Sequence, residues 1–217
     1  MAFRKKKYLL SSMNPDLAVI CECEKNIQLD FNDKKGAWFG DNPNKGVGIF
    51  SYGDFNLDIH PAYDDSVRDV FPISVTGREN FTLLACWSKK EYDYIIGITE
   101  SLKKYERLLT GEIIIAGDFN ANMIWNEKDK FSIFLKLLEK YSIQSCYHNF
   151  SKEDYGNENS NTLYFRHDSD NGYHIDYCFT SSEFIERLSD VHIPEYEGWK
   201  DYSDHVPLIT TYTPRSM

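Results

Sequence analysis

Apolar and polar residues alternate in short runs through most of the chain, punctuated at close intervals by Gly, Pro, Asn and Asp. Between residues 36 and 87 the runs "GAWFG", "GVGIFS", "FNLDIH", "VFPISVT" and "FTLLACW" follow one another, which predicts an antiparallel meander. Ahead of them "MAFRKKKYLL" has the pattern of a short helix whose Phe3, Tyr8 and Leu10 pack inward. "NPDLAVICECE" then turns at Asn14-Pro15 into an apolar strand. Strict alternation along that strand puts Leu17, Val19, Cys21 and Cys23 on one face and Ala18, Ile20, Glu22 and Glu24 on the other.

The period then lengthens. Tyr94, Ile98, Leu102, Tyr105 and Leu109 recur at helical spacing and predict a helix packed on a sheet from Glu91 to about Leu109. "EIIIAGDFNAN" reads as a buried strand running straight into a loop, and a second amphipathic helix is expected from about Lys128 to Tyr141. The polar run "SKEDYGNENSN" is the longest predicted loop. Strands follow around "TLYFRH", "YHIDYCFT" and "RLSDVHI", and "SDHVPLITTYT" is a loop feeding a last strand. Strands outnumber helices, and both meander and strand-helix-strand connections occur, so the expected architecture is an α/β sandwich with helices outside.

Length and composition narrow this picture. The 217 residues suit one domain spanning 1–217, and 41% apolar with 15% aromatic content describes a chain that packs a core. No apolar run is long enough for a bilayer and no secretory signal opens the chain, so a cytoplasmic protein with no membrane partner is expected. The five cysteines are an odd number within apolar runs, which suits buried thiols better than a disulfide framework. A net charge of −10 excludes a protein that coats nucleic acid by general electrostatics. A nuclease stays admissible, because a site holding divalent cations must itself cluster carboxylates.

Four segments place acids, amides or imidazoles where a predicted strand meets a loop, the place where open α/β sheets collect their sites. Glu22 ends its strand, and an exposed strand-end carboxylate would look the same. In "AGDFNAN", Asp118 and Asn120 can point the same way while Phe119 packs behind them: the acid can orient or deprotonate water, and the amide can donate to a phosphate oxygen. In "YHIDYCF", His174 and Asp176 share a face, as they would on any half-buried strand. In "YSDHVPL", Asp204 and His205 stand at the mouth of a strand, and Asp176 could fix the tautomer of His205 and raise its pKa.

Taken in order, "PDLAVICE", "GDFNAN", "HIDY" and "SDHVPL" resemble the endonuclease/exonuclease/phosphatase family, the deoxyribonuclease I-like fold, from about Phe3 to Tyr212. The resemblance implies a four-layer sandwich of two mixed sheets flanked by helices, and hydrolysis of a phosphoester with Mg2+ or Mn2+. By the same resemblance Glu22 and Asp204 would bind metal, Asp118 orient the water, and Asn120 hold the phosphate. His205 would contact the scissile phosphate, oriented by Asp176, with His174 and Trp87 facing substrate. A nucleic acid phosphodiester is the leading expected substrate. A small phosphorylated molecule is the alternative, and a non-catalytic binding protein on the same fold is the third reading.

Two departures from the family pattern stand out. Trp87 occupies a strand end where the family usually has a histidine, asparagine or tyrosine; it can stack on a base but cannot act as a general acid. The short strand that normally precedes the first helix has no counterpart here, which raises the expectation of a start codon placed downstream of the native one, or of a substitute for that strand.

Overall fold

Alternation becomes two packed sheets in the computed structural model, which describes residues 3–5, 7–25, 34–89, 93–125 and 128–215. Leu17–Cys23 (β1), Lys34–Asn42 (β2) and Lys45–Ser51 (β3) form an antiparallel sheet in the order β1-β3-β2. Asn56–Ile59 (β4), Val70–Thr76 (β5), Phe81–Trp87 (β6), Ile113–Asp118 (β7), Gln144–Ser145 (β8) and Asp176–Thr180 (β11) form the larger sheet, ordered β4-β5-β6-β7-β11-β8. Leu163–Tyr164 (β9) and Gly172–Tyr173 (β10) make a small ribbon, and Leu188–His192 (β12) pairs with Ile209–Tyr212 (β13). The predicted five-run meander is split between the sheets: β2 and β3 pair in the small one, while only β4-β5-β6 run as a meander in the large one, which is mixed because β6 and β7 are parallel and β7 and β11 antiparallel.

Helices cover both outer faces. A 3-10 turn at Phe3–Lys5 leads to α1 (Lys7–Ser12), and with Tyr196, Trp199 and Val206 this segment packs on Cys23 and Phe50. On the other side α2 (Tyr94–Lys104) and α3 (Lys128–Lys140) bury Ile98, Leu102, Phe131, Phe134 and Leu138 against β6, β7 and β11. The predicted helix to Leu109 is split: α2 ends at Lys104 and a 3-10 turn, Glu106–Thr110, carries Leu109 into the same core. Two short helices, α4 (Cys146–Ser151) and α5 (Ser182–Ile185), fall inside segments where no helix was expected. Each is too short to show a 3.6-residue pattern. No helix among the described residues is long and apolar enough to cross a membrane. All five cysteines are free thiols, and all but Cys21 are buried.

One expected register fails in a way that matters for the site. β1 alternates only as far as Ile20; between Ile20 and Cys23 its pairing with β3 shifts, with Glu22 in the left-handed region at φ 58°. A bulge re-aims every later side chain. Leu17, Val19 and Cys21 face the large sheet as expected, but Cys23 turns to the helical side with Ile20. Glu22 therefore leaves the face it was predicted to share with Ile20. Glu24 does not emerge beside it either: it is buried, accepts the Phe3 N–H at 3.0 Å and pairs with Arg4.

Candidate active site

The parallel pair β6 and β7 ends with Trp87 beside Asp118, and the antiparallel partner β11 begins with Asp176 opposite the same Asp118. Three strands thus deliver their terminal residues to one point. Gly117 makes the close approach possible: its φ is +147°, and a Cβ there would lie 1.9 Å from the Cys86 carbonyl oxygen. Beyond the strand Phe119 is fully buried, its ring 5.6 Å from Phe134 and 5.4 Å from Tyr177, so it anchors the loop that carries its neighbours. Burial of such a ring is worth roughly 1.5–3 kcal/mol.

Asn120, at φ 49°, closes a tight turn: its backbone N–H donates to Asp118 Oδ1 at 2.9 Å, and its side-chain amide donates to Asp118 Oδ2 at 2.8 Å and to the Ser88 carbonyl at 3.1 Å. His205 reaches the same point from the loop before β13. Its Nδ1 meets Asp176 Oδ2 at 2.9 Å, leaving Nε2 as its remaining functional nitrogen. Asp118, Asp176 and His205 each present a donor atom within 4.8 Å of the others, a set that could hold a metal ion.

The electrostatics follow from this crowding. Burial, then the Asp176 charge, pushes the Asp118 carboxyl up to about 7, against partial relief from His205 and the Asn120 N–H. Burial works the other way on His205, favouring the neutral ring, but Asp176, Asp118 and Asp204 outweigh it and raise the imidazole to about 9. A buried acid held half-protonated near neutrality is an acid short of positive charge. That shortage, in a set of carboxylate and imidazole donors, fits a divalent cation.

Glu22 sits at the rim, where its charge contributes to the rise of Asp118 and its carboxylate pairs with Lys45 at 2.7 Å. Together with Asp41, Asn42, Trp87, Ser88, Lys89, Tyr94 and Asn120 these two residues line a cleft of about 400 Å3. Lys89 and Lys45 lie 4.6 and 5.6 Å from the Trp87 ring. Lys45 went unnoticed in the sequence because a lysine in a predicted strand run carries no signal of its own. Only the pairing of Cys23 with Gly46 brings it to Glu22. Lys90 and the side chains of Lys34 and Lys35 lie outside the described residues.

Two expected site residues are placed differently. Asp204 acts on His205 through its charge, and its backbone carbonyl accepts from Tyr164 N at 2.7 Å, but its carboxylate is outside the group of three. His174 does not join the site: β11 starts only at Asp176, so the alternation assumed for "HIDY" does not reach back to it. The ring is buried, its Nδ1 bonded to the Ser160 carbonyl at 2.9 Å and its centroid 4.5 Å from that of Tyr147. Burial lowers its pKa, and its Nε2 has no hydrogen-bond partner among the described residues.

Carboxylates, an amide and an imidazole gathered where strands of a two-sheet sandwich end define a hydrolase-type site on an α/β fold. The sequence profile of the Endonuclease/Exonuclease/phosphatase family matches residues 9–205, and the chain belongs to that family of phosphoester hydrolases. No curated sequence is a significant match. Among solved structures the chain is similar to a 3' phosphatase from Neisseria bound to a product DNA hairpin (TM-score 0.68, 18% identity, 97% of this chain and 94% of that one). It is also similar to an AP endonuclease from Archaeoglobus fulgidus (TM-score 0.70, 14% identity, 94% and 91%) and to the endonuclease domain of the telomere-specific retrotransposon TRAS1 (TM-score 0.68, 13% identity, 99% and 93%). At these identities the likeness establishes the fold.

Proposed function

We propose that this chain is a divalent-cation-dependent phosphodiesterase acting on nucleic acid, and that it cleaves by in-line attack of water with no covalent intermediate. The observation that carries this reading is the convergence of Asp118, Asp176 and His205 within 4.8 Å, joined through Asn120, which bonds to Asp118, to a cleft bordered by Trp87, Lys45 and Lys89. Trp87 is itself buried in the core as a wall of the cleft, and the ammonium groups of Lys45 and Lys89 that lie over it are what the cleft offers to phosphates. The fold relatives whose names mention DNA or abasic-site endonuclease activity support the same substrate class.

Asp118 takes the proton of the attacking water; a carboxyl near 7 is matched to that task at neutral pH. The Asn120 amide orients Asp118 and donates to a phosphate oxygen without adding negative charge. His205, cationic at pH 7, braces the phosphate or protonates the leaving oxygen through Nε2, while Asp176 holds its ring and tautomer. A cation, Mg2+ or Mn2+, would be held at the Asp118, Asp176 and His205 group, with Glu22 at the rim and Asp204 beside His205 as the further carboxylates offered to it, and when bound it would neutralise charge on the phosphoryl oxygens.

A second reading, a phosphatase for a small phosphorylated molecule, is favoured by the net charge of −10, which opposes a long polyanion. Incubation with Mg2+ or Mn2+ and with DNA, RNA, a bis-aryl phosphodiester and a phosphomonoester separates the two. Diester cleavage that vanishes in Asp118→Ala and His205→Ala is expected. A folded protein that turns over none of the four substrates, or variants as active as the parent, would sink the proposal, and monoester cleavage alone would favour the second reading.

A further inference from the structure

The cleft beside the site holds two acids and two ammonium groups whose commitments differ. Asp41 is taken up by Arg68 at 2.8 Å, and Glu22 by Lys45 at 2.7 Å. Lys89 makes no ion pair among the described residues: its backbone N–H is held by the buried Asp69 at 3.3 Å, while its ammonium lies 4.6 Å from the Trp87 ring. Glu22 is near enough for its charge to act on Asp118, yet its carboxylate is outside the Asp118, Asp176 and His205 group that could share an ion. The carboxylate at the rim is engaged by a lysine and not by the site it borders.

That engagement is easily undone. The Glu22 and Lys45 side chains are 48% and 50% exposed, and a pair in such a setting shifts an equilibrium by at most about fivefold. A divalent cation attracts a carboxylate about twice as strongly as an ammonium group does at the same distance, and lysine's flexible stem lets it leave without disturbing the backbone. Lys45 is well fixed at its root: it pairs with Asn42 to close the hairpin of β2 and β3, and its neighbour Gly46 pairs with Cys23 of β1. Only the ammonium group has to move. Its Nζ is already 5.6 Å from the Trp87 ring, which Lys89 also overlies. Two ammonium groups gathered at one ring repel each other unless an anion lies between them, and a phosphate group supplies one.

We propose that Lys45 is an exchangeable counter-ion: it pairs with Glu22, yields that carboxylate to a divalent cation, and then joins Lys89 to hold a substrate phosphate next to the one that is cleaved. The inference rests on the cation-dependent reading above and deepens it, since it makes the cleft a second phosphate subsite that opens only when the cation is in place. Cation and phosphate binding are then positively coupled through one side chain, and by linkage each raises the affinity for the other by the same factor.

The test is calorimetric titration of the full chain with Mn2+, for the parent, Lys45→Met, Glu22→Gln and the double variant. Lys45→Met keeps an unbranched stem against Trp87 and removes the charge. It is expected to bind Mn2+ about threefold to fivefold more tightly than the parent, and that gain is expected to vanish in the Glu22→Gln background. The second titration uses thymidine 3',5'-bisphosphate, whose two monoesters offer no diester to cleave. With Mn2+ saturating, the parent is expected to bind it about fivefold more tightly than Lys45→Met does; in EDTA the two are expected to bind it alike. Equal Mn2+ affinity of parent and Lys45→Met would overturn the proposal, as would an equal gain in the Glu22→Gln background, which marks a general effect of charge. So would an advantage of the parent for the bisphosphate as large in EDTA as in Mn2+, because Lys45 would then be free from the start. Mn2+ binding that depends on Glu22 but not on Lys45 leaves the cation reading standing and removes this one. Mn2+ binding that ignores Glu22→Gln removes both.

Discussion

Replacing Asp176 by Asn keeps the shape of the site and removes one charge, which makes it a direct test of how the site is wired. In the parent the Nδ1 of His205 and the Asp176 carboxylate are 2.9 Å apart, and the imidazole is raised from 6.5 to about 9 although burial opposes the charged form. That rise corresponds to ~3.4 kcal/mol at 1.36 kcal/mol per tenfold change. A charge pair at 4 Å with an effective dielectric of about 20 supplies about 4 kcal/mol, which makes Asp176 the leading contributor among the three carboxylates that together outweigh burial. In Asp176→Asn the His205 ring is expected to return toward 6.5. Asp118 is expected to drop with it, because the Asp176 charge is the second-largest cause, after burial, of its rise to about 7. The assay is NMR titration of the histidine ring resonances in EDTA, with His205→Ala for assignment. Turnover should fall by roughly 10²–10⁴, the contribution typical of a positioned general acid or base, with about 10⁴ the loss when a histidine's orienting aspartate becomes asparagine. If His205 still titrates near 9 in the variant, or turnover changes less than about tenfold, this account of the pair is wrong.

The remaining predictions concern support and linkage. His205 binds its proton more tightly when folded, so its contribution is complete below pH 6.5 and disappears as pH rises through about 9. The metal-free chain should therefore lose Tm across that window, and Asp176→Asn should flatten the loss. Gly117→Ala forces a Cβ to 1.9 Å from the Cys86 carbonyl oxygen at a φ that L residues avoid. Urea unfolding should show a loss of at least ~3 kcal/mol, since steric and backbone penalties add. Phe119→Ala empties a fully buried site among Phe134, Tyr177 and Phe179, and should cost about 3–5 kcal/mol by the same measurement. Phe119→Leu should recover most of that stability. Glu24→Ala orphans the Phe3 N–H and should cost about 1–3 kcal/mol, with faster proteolysis of residues 3–12 as the local readout.

Much of the molecule was settled by sequence, because strand alternation and helical stripes are local. The five runs from residue 36 to 87 are β2 to β6, and the stripes in α2 and α3 face the core they were assigned to. Asp118 with Asn120, and Asp176 with His205, were paired correctly, since each lies at or within a few residues of the end of an apolar strand run whose direction the pattern fixes. Tertiary structure decided what the period of two could not carry. The bulge after Ile20, held by pairing with β3, sends Glu22 to the cleft and Glu24 inward to the N-terminal turn. The late start of β11 leaves His174 in the interior rather than in the site. Lys45 meets Glu22 only because antiparallel pairing joins residues far apart in the chain. The pairing of β1 with β3 and of β13 with β12 belongs to this second group as well: a strand's sequence states which face it buries, and only the assembled sheet shows which strand its edge meets.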